Sequence, residues 1–219
     1  MNMLGAGMVG LLAVPALLLS GTAQAREDLP RALATLTPQD FAARAEVVDD
    51  PAEPHVVAST RKAWPRGYGR SPSGGVEIGD VHLRALVDRE SGAVRWQLWQ
   101  ELTHVGAPSA LTGLGFHDGT EPVEAALARA ERRPERCPAQ DALHTSCTVR
   151  VHYMFDLPAE AMTRVAESYA PGSRTPLRLA FSDAAGRTHE VALAPAEVAG
   201  LAAVVGSLRP VTESTRSTR

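Results

Sequence analysis

The chain has 219 residues, of which 44% are hydrophobic and 21% charged, with a formal net charge of −3. That balance excludes a disordered or collagen-like chain and a multi-pass membrane protein. With 22 Lys+Arg against 25 Asp+Glu, there is no excess of positive charge to hold a phosphate backbone, so no nucleic-acid partner is expected.

Residues 1–25, MNMLGAGMVGLLAVPALLLSGTAQA, carry no charged side chain. An apolar run from Leu4 to Leu19, interrupted by Pro15, ends in Ala23-Gln24-Ala25, the small-x-small pattern of a cleaved export signal. The n-region departs from that pattern in lacking Lys and Arg. The run is shorter than the roughly 20 residues that cross a bilayer comfortably. No stable membrane span is therefore expected after processing, and with no Cys beside the cleavage site no lipid anchor either. The expected location is periplasmic or secreted, with Arg26 as the mature N-terminus. The only two cysteines, Cys137 and Cys147, are an even count in an exported chain, which predicts one structural disulfide.

Along the mature chain, Thr37-Pro38-Gln39-Asp40 reads as a helix start, with Thr37 as cap, Pro38 at the first position and Asp40 at the positive end of the dipole. That helix ends at Arg44 or Ala45. His55 to Thr60 reads as an edge strand and Arg66 to Gly75 as loop. Leu83, Ala85 and Val87 alternate with polar neighbours. Arg89-Glu90-Ser91-Gly92 then turns the chain into a second alternating run through Val94, Trp96, Leu98 and Leu102, a β-hairpin. Leu111 to Phe116 adds a strand. Residues 122–133 favour helix by propensity. Cys147 to Phe155 alternate again as a strand, Pro158 to Tyr169 read as an amphipathic helix, and Leu177–Phe181 and His189–Leu193 form a second hairpin about Asp183-Ala184-Ala185-Gly186. Pro195 opens a last helix to about Leu208. The sum is one α+β domain over 26–208, mainly antiparallel, with about five to seven strands, two to three helices and one disulfide. Residues 209–219 read as a disordered tail.

Val47-Val48-Asp49-Asp50-Pro51, the stretch HLRALVDRESGAVRWQLWQELTH, the pair Cys137 and Cys147, and the closing LAPAEVAGLAAVV together resemble a family of small exported bacterial proteins of unknown function. The resemblance spans roughly residues 45 to 205. It implies a single antiparallel-sheet domain, with 122–136 extended rather than helical. It implies no activity and no ligand.

Chemistry is sparse. Cys137, His144, Cys147 and His152 suggest a zinc set, but residues five apart on a strand point to opposite faces, and oxidised cysteines offer no thiolate. No metal or cofactor is expected. No serine stands in G-x-S-x-G or S-x-x-K. The residues from which a hydrolytic site could be built are His104, His117, Asp118 and His144. Trp96 shares its strand face with Val94 and Leu98 and belongs in the core. Trp99 shares the opposite face with Arg95, Gln97 and Glu101, and is expected to lie beneath a helix. If bare, it is a recognition anchor, with Arg84, Arg95 and Gln97 as its surroundings. The absence of a catalytic motif favours a non-enzymatic envelope module with an unidentified envelope partner, and a small exported hydrolase is the alternative.

Overall fold

The computed structural model of the chain describes residues 28–64, 69–70, 76–105, 110–136 and 148–209. A short helix α1 (Arg31–Ala34) leads into α2 (Pro38–Arg44). The Thr37 hydroxyl accepts from the Asp40 amide at 3.2 Å while the Asp40 carboxylate accepts from the Thr37 amide at 2.9 Å, a complete capping box. The strands are β1 (Glu46–Val48), β2 (His55–Ser59), β3 (Gly69–Arg70), β4 (Val76–Asp88), β5 (Val94–Val105), β6 (Leu111–His117), β7 (Pro122–Arg136), β8 (Thr148–Leu157), β9 (Leu177–Asp183) and β10 (Thr188–Leu193). Helix α3 (Ala159–Glu167) follows β8, and α4 (Pro195–Leu208) closes the described chain.

All ten strands join one sheet in the order β1-β2-β4-β5-β8-β7-β6-β9-β10, with β3 on the end of β4. Every pairing is antiparallel. The sheet curls into a half-barrel. Its curl has a local cause in β7, which pairs with β6 through Pro122–Ala126 and with β8 from Leu127 onward. At the changeover the register slips between Leu127 and Arg129, and such a bulge bends the strand and increases its twist.

The inner face carries Val81, Leu83, Ala85 and Val87 from β4, Leu98 and Leu102 from β5, and Val151, Tyr153 and Phe155 from β8, each no more than 1% exposed. Helices α3 and α4 fill this face through Ala161, Met162, Val165, Val198, Leu201 and Val205. Helix α4 is apolar on most of its circumference, as a helix enclosed by sheet and helices must be. Its one buried charge, Glu197, accepts a 2.6 Å hydrogen bond from the Thr60 hydroxyl. A second, smaller core joins Leu29, Leu33, Phe41, Ala63, Ala194 and Ala196, setting α1 and α2 against the start of α4.

The expected α+β domain is corrected: the protein is mostly antiparallel sheet, with ten strands and four helices among the described residues rather than five to seven and two to three. β1, β3 and β7 account for the additional strands. β1 and β3 are too short to show periodicity, and their edge positions depend on β2 and β4. Ladder bonds to β6 over 122–126 and to β8 from Leu127 override the helix preference of Ala, Glu and Arg, and the extended conformation implied by the family resemblance is the one found. The disulfide is also corrected as an element of the fold: none joins the described residues, and Cys137 and Cys147 lie outside them. So do residues 1–25, His144 and residues 210–219. Among the described residues no helix is long and apolar enough to cross a membrane.

Candidate functional site

The turn after β4 positions the site. The Asp88 carboxylate accepts from the amides of Glu90 and Ser91 and from the Ser91 hydroxyl, and Gly92 supplies the positive φ of 67°. This sets Val87 opposite Val94, so His82 falls opposite Trp99 and Arg84 opposite Gln97. Farther along, Gly79 and Asp80 stand against a single partner residue in a bulge between Ile78 and Val81. On the other side β8 brings Met154 opposite Trp99 and His152 opposite Glu101.

These side chains share the outer face of the half-barrel. The expected helix over Trp99 is absent among the described residues, because α3 and α4 are both used on the inner face. A groove of about 250 Å³ crosses β1, β2, β4, β5 and β8 here. Its platform is Trp99, stacked with His82 at 6.2 Å between ring centroids and 17° between planes. The Arg84 guanidinium lies 5.4 Å from the Trp99 ring centroid, a cation–π contact. Burial, and secondly the neighbouring Arg95, pulls the Arg84 guanidinium below its ordinary value. Asp80 lies 3.0 Å from His82 through its Oδ2, and Glu101 lies 3.5 Å from His152 and 3.6 Å from Arg150. Burial lowers His152 despite the opposing Glu101 carboxylate.

Among the described residues, three polar atoms of groove-lining residues are buried without a hydrogen-bond partner: Trp99 Nε1, Asp80 Oδ1 and Gln100 Oε1. Gln100 is 1% exposed, and its amide nitrogen is committed to the carbonyl of Glu101 at 2.7 Å. Trp99 and Asp80 thus bring one N–H donor and one acceptor to the lining, while Gln100 shares the inward parity of Leu98 and Leu102. A buried polar group left unmet costs about 1–3 kcal/mol.

Of the three residues expected around Trp99, Arg84 lines the groove with it. Arg95 is exposed two rows away, opposite Leu86. Gln97 is 3% exposed and its amide donates to Asp156 at 3.2 Å, so it is a support beneath the face rather than part of it. His82 was legible from the hairpin register. Asp80, Glu101 and His152 were not, because they depend on the bulge and on the β5–β8 pairing.

The hydrolytic set is not brought together. His104 is 3% exposed on the inner face of β5, near His189, Arg187 and Asp183, and burial lowers its pKa first, with His189 and Arg187 adding to the effect and Asp183 opposing it. Asp183 pairs with Leu111 at one end of β6, whereas His117 ends the strand six residues on, roughly 20 Å away. Asp118 is saturated: it accepts from the amides of Thr120 and Glu121 at 2.8 and 2.9 Å and from Arg164 Nε at 2.7 Å. Arg164, with those amides, holds its carboxyl at about 2. It is a brace between the β6–β7 turn and α3. Of the soft ligands considered for zinc, His152 faces Glu101 on the outer surface, and the other three lie outside the described residues. Compared with family models, curated proteins and solved structures, the chain matches none.

Proposed function

We propose that the protein is a non-enzymatic binding module of the cell envelope that recognises a protein partner through the outer face of its sheet, with Trp99 as the anchor. The observation that carries this reading is the Trp99 groove, uncovered among the described residues, with its unmet indole N–H and the unmet Asp80 Oδ1. A volume of about 250 Å³ falls below the roughly 300–1,000 Å³ of ligand-enclosing sites. It suits one inserted side chain rather than a whole small molecule. A half-buried Trp beside an Arg, ringed by polar groups, has the composition of an interface hot spot. The charged neighbours pair among themselves, so they supply orientation more than field strength.

The export signal read in residues 1–25 supports the envelope as the place where that partner is met. The test is site-directed photo-crosslinking from Arg95 in cells expressing the full chain. A discrete crosslinked protein should be lost in Trp99→Ala and retained in Glu167→Ala, which changes an exposed residue of α3. A crosslinking pattern identical in all three proteins refutes the reading.

A further inference from the structure

A larger cleft, of about 690 Å³, opens at the seam between the two cores, away from the Trp99 face. Its volume is within the size range of small-molecule sites. Leu29 and Leu33 from the segment around α1, with Ala194 and Ala196 at the start of α4, line it from the smaller core. Val165 of α3 and Leu177 of β9 line it from the larger one. All six are buried, so the floor is apolar. The α1 segment is clasped in place beside it. The Leu29 amide donates to the Arg174 carbonyl at 2.9 Å, and the Arg174 guanidinium donates back to the Leu29 carbonyl at 2.9 Å.

The charges at the polar end decide what the cleft can take. Among the described residues its lining carries two carboxylates and one guanidinium, those of Asp28, Asp118 and Arg178. Each is already engaged. Asp118 accepts from Arg164 Nε at 2.7 Å and from the amides of Thr120 and Glu121. Asp28 pairs with Arg174 at 3.3 Å, and Arg178 has Glu190 at 4.0 Å and a further interaction. The Gly119 amide donates to His117 Nδ1 at 3.1 Å, which leaves Nε2 as the protonated nitrogen and a donor at the rim. An anion or a cation entering this cleft would shed water without meeting an uncommitted counter-charge, which is costly. An uncharged apolar body pays no such penalty and gains by leaving water for the floor.

We propose that this cleft binds an uncharged amphiphile, an aliphatic chain ending in a hydroxyl or ester group, with the chain on Leu33, Val165 and Leu177 and the polar end at the rim beside His117. The mutual compensation of the lining charges selects it, not attraction by any one residue. The site is independent of the Trp99 groove.

The test is displacement of the uncharged fluorophore N-phenyl-1-naphthylamine from the purified full chain by decanol, decanoate and decylamine, each below its aggregation concentration, at neutral pH. Decanol should displace the probe saturably and at least about tenfold more tightly than either ion. Ala170→Trp, which narrows the cleft from an exposed lining position, should weaken decanol binding. Ser173→Trp replaces it if Ala170→Trp does not fold. Trp99→Ala should leave the decanol affinity unchanged, which keeps this result separate from loss of the envelope partner. The proposal is overturned by an absence of saturable displacement by decanol, by a preference over either ion of less than about tenfold, or by displacement indifferent to the narrowing substitution. A decanol affinity that rises when residues 1–25 are deleted would make the chain's own N-terminus the occupant and overturn it equally.

Discussion

Replacing Gly200 by alanine sets two effects of opposite sign against each other in α4. In an isolated helix the change stabilises by about 1 kcal/mol, because glycine is the more costly residue in a helix interior. In this fold the new Cβ would stand 2.6 Å from the Pro38 carbonyl oxygen, 2.7 Å from Phe41 Cβ and 3.1 Å from the Ala42 amide nitrogen. Carbon contacts are comfortable at about 3.5–4.0 Å, so α2 would have to retreat by about 1 Å. It cannot do so freely, since Phe41 is fully buried and Thr37 and Asp40 close its capping box. Two of the three contacts are backbone atoms that no rotamer change relieves. Overpacking of this kind costs about 1–3 kcal/mol, and the immobile partners place it at the upper end. The net is a loss of about 2 kcal/mol, a fall in Tm of about 4–8 °C for a chain of this size. Gly206, on the same helix, has nothing within 4 Å of its virtual Cβ, so Gly206→Ala should stabilise by up to about 1 kcal/mol. Thermal denaturation of the two variants side by side separates propensity from packing. If Gly200→Ala raises Tm as Gly206→Ala does, the close α2–α4 crossing is refuted.

Other consequences follow from the buried polar groups and the outer face. Burial pushes Asp183 up, but the amides of Arg187 and Ala185 and the Arg187 guanidinium outweigh it and hold the carboxyl at about 2. Its stabilising contribution is complete above about pH 4 and lost as pH falls toward 2, so Asp183→Asn should flatten the acid limb of denaturant midpoint against pH; parallel curves would refute this. His104, lowered by burial, protonates at lower pH in the fold than when unfolded, where it does so near pH 6.5. Its contribution is therefore present above pH 6.5 and declines below it, and His104→Leu should remove that part of the slope in urea titrations between pH 7 and 5. Trp99→Ala should weaken binding to the crosslinked partner by at least about 2 kcal/mol, roughly thirtyfold in Kd, as measured by calorimetry with the purified pair.

Much of the local structure is legible in the order of residues. Thr37, Pro38 and Asp40 specify a helix start through contacts within one turn, and the structure has that capping box. Asp88, Ser91 and Gly92 close a turn whose hydrogen bonds are equally local, and from it the register that sets His82 against Trp99 can be counted. The two-residue alternation of β4, β5 and β8 sorts Trp96 inward and Trp99 outward without reference to any other element.

The curled sheet, its uncovered face and its cleft are products of tertiary structure. Residues 122–136 carry weak local preference for a strand. They are extended because β6 and β8 offer ladder partners on either side, and a ladder bond depends on residues distant in sequence. Which face of the sheet stays bare was undecidable locally, since an alternating strand says only that one side is apolar. α3 and α4 go to the inner face because their own apolar surfaces find Leu98, Leu102 and Phe155 there, and Trp99 is left open as a result. The pairing of Glu101 with His152, and the meeting of Leu33 with Val165 and Arg178 around one cleft, arise only when separate elements close on each other. Hydrogen bonds within a turn are encoded by neighbours, whereas burial depends on what else the folded chain brings to the same place.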